Sequence, residues 1–167
     1  MCTFVAIVDW DPNPSTQHLH MKAEETVDYH IKTAWHAISR MYNQQAVKHD
    51  ITMSIGFVLL NIHPEEGTPA TKIAPQMGLE ARSLTRILKT MEERGYIYKQ
   101  PDPHDGRSVR IFLTDLGMEK RAISRKTVLR FNEVVQGHIP DEQLAVFFTV
   151  AQEINRLIEA NDIYQKD

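Results

Sequence analysis

A chain of 167 residues, 42% hydrophobic and with a formal net charge of −3, has enough apolar material for a core but is too short for two large independent domains. The acidic balance, taken alone, argues against a nucleic-acid binder. The single cysteine, Cys2, excludes an intramolecular disulfide and a CxxC zinc site, no apolar run reaches the ~18 residues of a membrane helix, and there is no secretory signal, so a soluble cytoplasmic protein is expected.

Residues 1–20 begin with a short β-like run, TFVAIV, that is broken by DPNPS. Met21 opens the first strongly helical segment, so residues 1–20 are expected to be an extension upstream of the natural start. Val27, Ile31, Ala34, Trp35, Ile38 and Tyr42 recur at three- and four-residue steps, which predicts an amphipathic helix from Ala23 to Val47. Thr52 to Ile62 is apolar nearly all round, as befits a helix central to a core. Thr68 as N-cap and Pro69 as first helical residue predict a short third helix to Met77, loosened by Pro75. Gly78 turns the chain into a fourth helix, Glu80 to Arg94, which Gly95 ends.

Two β-prone runs follow, Tyr96 to Gln100 and Arg107 to Leu113, joined by PDPHDG. In the second, Val109, Ile111 and Leu113 alternate with Ser108, Arg110 and Phe112, which predicts a half-buried strand and therefore a β-hairpin. Thr114 is the expected N-cap of a long helix to Gln136. A last helix, Asp141 to Asn161, carries Leu144, Phe147, Ala151, Ile154 and Ile158 along one packing seam.

Short helix, tight turn, second helix and charge-tipped hairpin are the layout of a winged helix-turn-helix in a mainly α (α+β) chain. On the second of these helices Leu84, Ile87, Leu88 and Met91 fall on one side and Arg82, Arg86 and Lys89 on the other, with Glu93 beyond. Such a cationic face can pair guanidinium groups with guanine edges and anchor phosphates, with Ser83 and Thr85 as added hydroxyl donors. From Pro69 to Leu113 lysines and arginines outnumber carboxylates by three, so positive charge collects here although the whole chain is acidic. A lone cationic stripe usually only solvates a surface helix; the hairpin after it favours DNA. Arg107 stands where it can enter a narrow minor groove, and Asp105 can orient its guanidinium.

The segment RSLTRILKTMEERGYIYKQPDPHDGRSVRIFLTDLG resembles the core of the MarR family of bacterial transcription regulators. It carries the family's T-R-x-[LIV] helix in Thr85, Arg86 and Leu88, and its E-R-G helix end in Glu93, Arg94 and Gly95. The D-x-x-D-x-R wing follows in Asp102, Asp105 and Arg107, and the L-T-x-x-G exit in Leu113, Thr114 and Gly117. The resemblance runs from about Glu24 to Asn161. It implies a winged helix-turn-helix over residues 51–113, an α-helical dimerisation region from residues 21–50 and 114–167, and a homodimer on a pseudo-palindromic operator in double-stranded DNA. It also implies repression relieved by a small organic-acid or acyl effector.

By the same resemblance Arg82, Ser83, Thr85, Arg86 and Lys89 face the major groove, Asp105 and Arg107 form the wing tip, and Lys72 contacts phosphate. Trp35, His36, Ser39, Met53 and Phe57 fall near the effector site, although aromatic and Met residues at helical spacing are more often plain core. His104 stands at a wing position that is often basic in the family, so its contact would depend on pH.

Among the rival readings, a redox sensor needs a cysteine beside the core, and Cys2 lies in the extension. A metal-responsive regulator would draw on the histidines of the first third, His18, His20, His30, His36 and His49, although no thiol joins them. A helical interaction protein that does not bind DNA leaves the cationic face unexplained. No Gly-rich phosphate loop, nucleophile elbow or HExxH is present, so neither catalytic residues nor a cofactor is expected.

Overall fold

Contacts along the chain divide it into two units, Met1–Met53 and Ser54–Asp167; the computed structural model describes residues 22–103, 108–160 and 163. The expected extension, with Cys2, His18 and His20, lies outside the described residues, as do His104, Asp105 and Arg107 at the hairpin tip.

In the first unit a 3₁₀ turn, Ala23–Glu25, precedes helix α1, Val27–Val47. The predicted helix is broken at Thr26, whose backbone is extended and whose hydroxyl donates to the Ala23 carbonyl at 2.8 Å. Tyr42 is buried, and burial raises the pKa of its phenol. Val27, Ile31 and Trp35 keep half or more of their surface exposed.

Helix α2, Met53–Asn61, is hydrophobic on nearly every side and buries Ile55, Val58 and Leu59. Beyond it the predicted N-cap role of Thr68 fails. Thr68–Pro69 form a two-residue strand, β1. The Thr68 hydroxyl accepts from the His63 N–H at 2.9 Å and donates to the Asn61 carbonyl at 3.3 Å. With that side chain tied to the end of α2, helix α3 starts one residue later than expected, at Ala70, and runs to Gln76. Pro75 sits in its last turn, so its missing N–H costs a bond only where the helix is already ending.

Helix α4, Ala81–Glu93, follows the turn. Both α3 and α4 stop in the same way. Gly78 and Gly95 take positive φ (60° and 69°), and the next amides reach back five residues, Leu79 to Ala74 and Tyr96 to Met91. These are the bonds of a Schellman cap.

Strands β2, Ile97–Pro101, and β3, Val109–Leu113, form the hairpin, and β1 pairs with the other edge of β3 to give the antiparallel order β1-β3-β2. Tyr98 faces Phe112 across the hairpin and Lys99 faces Ile111. Ile111 and Leu113 are buried as the alternation predicts, whereas Val109, nearer the tip, stays 41% exposed. Among the described residues Val58, Leu59, Ile62, Ile73, Met91 and Ile111 are the largest fully buried side chains, so α2, α3, α4 and β3 contribute to the core.

Helix α5, Asp115–His138, and helix α6, Asp141–Glu159, follow the hairpin. Of the predicted α6 seam Leu144 is buried, but Phe147 and Ile158 are 61% and 56% exposed.

Candidate nucleic-acid interface

Helix α4 is amphipathic in the sense the interface needs. Leu84, Leu88 and Met91 are buried, which fixes the helix about its axis and turns Arg82, Ser83, Thr85, Arg86 and Lys89 to solvent. Among the described residues no carboxylate pairs with Arg82 or Arg86, while Lys89 lies 3.8 Å from Glu93 one turn on. The uncompensated charge therefore belongs to the first two turns of α4.

Thr85 differs from its expected role as a hydroxyl donor. Its Oγ1 donates to the Ala81 carbonyl at 2.9 Å, so what it turns outward is an oxygen lone pair and a methyl group. Lys72 is exposed on α3.

The hairpin is anchored by the motifs that flank it. Thr114 caps α5 by accepting from the Gly117 N–H at 3.0 Å, and its hydroxyl donates to the Gly95 carbonyl at 2.6 Å. Its own N–H bonds to the Tyr96 carbonyl at 3.1 Å. A Cβ on Gly117 would fall 1.9 Å from that same carbonyl oxygen, so only glycine lets α5 begin this close to the corner. The end of α4 and the start of α5 are thus locked together at one point. Lys99 adds an ion pair to Glu92, and the Lys120 ammonium lies 5.9 Å from the centre of the Tyr96 ring.

At the tip end the expected contacts, Asp105 and Arg107, fall outside the described residues. The described residues contain a group that sequence reasoning missed. Arg110 Nε lies 3.1 Å from Asp102 Oδ2, and its Nη1 donates to the Glu66 carbonyl at 3.0 Å. Opposite charges on the two arms of a hairpin were a visible signal, but the pairing register that brings them together was not.

The five expected effector residues divide between the units: Trp35, His36, Ser39 and Met53 in the first and Phe57 in the second. Trp35 is half exposed and His36 exposed. Ser39 Oγ is buried and has no hydrogen-bond partner among the described residues. No three His, Cys, Asp or Glu side chains among the described residues are grouped as a metal would require. No helix among them is long and apolar enough to cross a membrane.

The sequence model of the MarR family matches residues 51–109. The HTH-type transcriptional regulator TtmR of Methylorubrum extorquens (strain PA1) is 36% identical over 87 residues, 52% of this chain and 45% of TtmR, so the match spans under half of that relative. The organic hydroperoxide resistance transcriptional regulator of Bacillus subtilis (strain 168) is 31% identical over 98 residues, 59% of this chain and 67% of the relative. Among solved structures, PcaV of Streptomyces coelicolor in complex with its natural ligand aligns over 83% of this chain and 97% of its own, with TM-score 0.70 and 20% identity. The S. aureus MepR–DNA complex aligns over 78% and 97%, with TM-score 0.72 and 19% identity.

Proposed function

This chain belongs to the MarR family, and on that premise we propose that it is a sequence-specific DNA-binding transcriptional regulator, a ligand-responsive repressor that acts as a cytoplasmic homodimer on a pseudo-palindromic operator. Residues 51–113 bind the DNA, and residues 21–50 with 114–167 form the dimerisation region.

The observation that carries this reading is the exposed cationic face of α4, held outward by the buried Leu84, Leu88 and Met91. Arg82 and Arg86 are the base-reading candidates, since bidentate guanidinium pairs discriminate guanine. Lys89 and Lys72 neutralise phosphates. Ser83 and Thr85 complete the major-groove face, where the Thr85 methyl suits a thymine methyl. Asp105 and Arg107 form the wing tip in the minor groove. The likeness of this fold to one solved on DNA, that of MepR, supports the assignment.

Fluorescence anisotropy of the full chain on DNA from upstream of its own gene, against scrambled DNA and across a salt series, tests it. Preference for its own DNA with affinity falling steeply as salt rises is the expected result. Equal, weak binding to both DNAs, together with no enriched site in a random-sequence selection, would overturn it.

The effector is an aromatic acid or an acyl compound, with Trp35, His36, Ser39 and Met53 of the first unit and, separately, Phe57 of the second as candidate contacts. The Ser39 hydroxyl, buried without a hydrogen-bond partner among the described residues, supports this, because a ligand oxygen would satisfy it. A thermal-shift screen with aromatic acids and acyl-CoAs should raise the melting temperature, and Ser39→Ala should shrink the rise while leaving operator binding intact. A flat screen would count against an organic-acid effector.

A further inference from the structure

At the end of the β2–β3 ladder, three separate stretches of chain are held by one guanidinium. Asp102 follows the last residue of β2 and is a carboxylate with 5% of its side chain exposed; Arg110 lies on the central strand β3 with 18% exposed. The Arg110 fork spends Nε on Asp102 and Nη1 on the Glu66 carbonyl, in the loop between α2 and β1. One step beyond the last ladder pair, Pro101 and Val109, the Asp102 N–H donates to the Ser108 carbonyl at 3.0 Å. These bonds tie the two arms of the hairpin together at residues 102, 108 and 110.

A buried ion pair is weak evidence for stability, because desolvation cancels much of its attraction; in some systems its best-attested use is to select one geometry over others. A planar guanidinium with two fixed donor directions suits that use, since it specifies angles as well as distances. Here the angles specified are those between the two hairpin arms and between the hairpin and the body of the domain.

We propose that Asp102 and Arg110, with the Glu66 carbonyl, form a positioning clamp that sets the direction in which the wing tip leaves the sheet. They thereby control how much Asp105 and Arg107 contribute to DNA binding. The clamp rests on the proposed DNA-binding function for its consequence, but its existence can be tested without DNA. Arg110 is a positioning residue, its guanidinium engaged by Asp102 and the Glu66 carbonyl.

The sign of one substitution separates a clamp from bulk electrostatics. Asp102→Asn removes a negative charge from a DNA-binding module, so charge alone predicts tighter binding at low salt. The clamp predicts the reverse, about tenfold weaker binding, the order of one lost groove contact. Arg110→Lys, which keeps the charge but loses the fork, should weaken binding as well. In either background Arg107→Ala should then cost less than about twofold more, while Arg86→Ala on α4 keeps its full effect, as coupled and uncoupled pairs do.

Hydrogen exchange on the DNA-free protein supplies the independent arm: the amide of residue 102, bonded to the Ser108 carbonyl, should lose protection in Asp102→Asn while those of α4 and α5 keep theirs. Tighter DNA binding by Asp102→Asn, or unchanged exchange at residue 102, overturns the clamp. Should Asp102→Asn unfold, the pair Asp102→Asn with Arg110→Gln takes its place: it leaves the net charge unchanged, so charge alone predicts unchanged binding, while the clamp still predicts about tenfold weaker binding, and unchanged binding overturns it. Altered exchange in a protein whose native form shows no operator preference would instead leave the clamp standing and sink the DNA-binding reading.

Discussion

At Gly117 the space available decides the residue. With a Cβ there 1.9 Å from the Tyr96 carbonyl oxygen, Gly117→Ala must push α5 off the corner. The expected loss is about 3 kcal/mol or more, at the upper end of overpacking costs, read as a lowered thermal midpoint. Thr114→Ala removes the cap of the same helix and its bond to Gly95, and should lose about 1–2 kcal/mol in denaturant unfolding. Arg107→Ala belongs to a different class. Operator affinity should fall by about 1–3 kcal/mol while stability moves by less than about 0.5 kcal/mol. Unchanged affinity would reduce the hairpin to a structural role. Gly95 as a helix stop and Thr114 as a helix cap were legible because that chemistry is local. Arg110 and Glu66 were not, because their contact spans 44 positions and exists only once β1 and β2 flank β3.

At the level of the element, α4 carries its own charge gradient. Arg82 and Arg86 in its first half are uncompensated among the described residues, whereas Lys89 shares its charge with Glu93 at 3.8 Å. Arg86→Ala should therefore weaken DNA binding more than Lys89→Ala does, and Glu93→Gln should strengthen it at low salt by freeing Lys89. Anisotropy at two salt concentrations measures both, and equal losses for Arg86→Ala and Lys89→Ala would argue that α4 binds phosphates without reading bases. The 3.6-residue period made this helix readable from sequence, burying Leu84, Leu88 and Met91 as expected. The start of α3 was misplaced for a tertiary reason: the Thr68 hydroxyl, a good cap in isolation, is taken by the end of α2 while its backbone pairs with β3.

For the whole molecule the large apolar side chains left on the surface matter most. Leu129 and Val134 on α5 and Phe147, Val150 and Ile158 on α6 are each 40% or more exposed, on helices assigned here to dimerisation. An apolar surface of this kind is what a homodimer interface covers. Light scattering on the full chain should give twice the 19.3 kDa of one copy. Phe147→Asp should shift the mass toward one copy and weaken operator binding with it, since two half-sites are then no longer gripped together. A native mass of one copy would remove the dimer from the proposed function.

What the sequence determined by itself was everything set by short-range pattern. The helical and strand periods, the glycine stops after α3 and α4, the Thr114 cap and the cationic face of α4 follow from residues within one or two turns of each other. The ordered motifs from Thr85 to Gly117 then named the family. Tertiary structure alone decided that Thr68 serves a strand, that Gly117 is a steric requirement of the Tyr96 corner, and that Asp102, Arg110 and Glu66 meet at the end of the β2–β3 ladder. Each of these depends on which distant backbone arrives beside the residue, and local propensity carries no information about that.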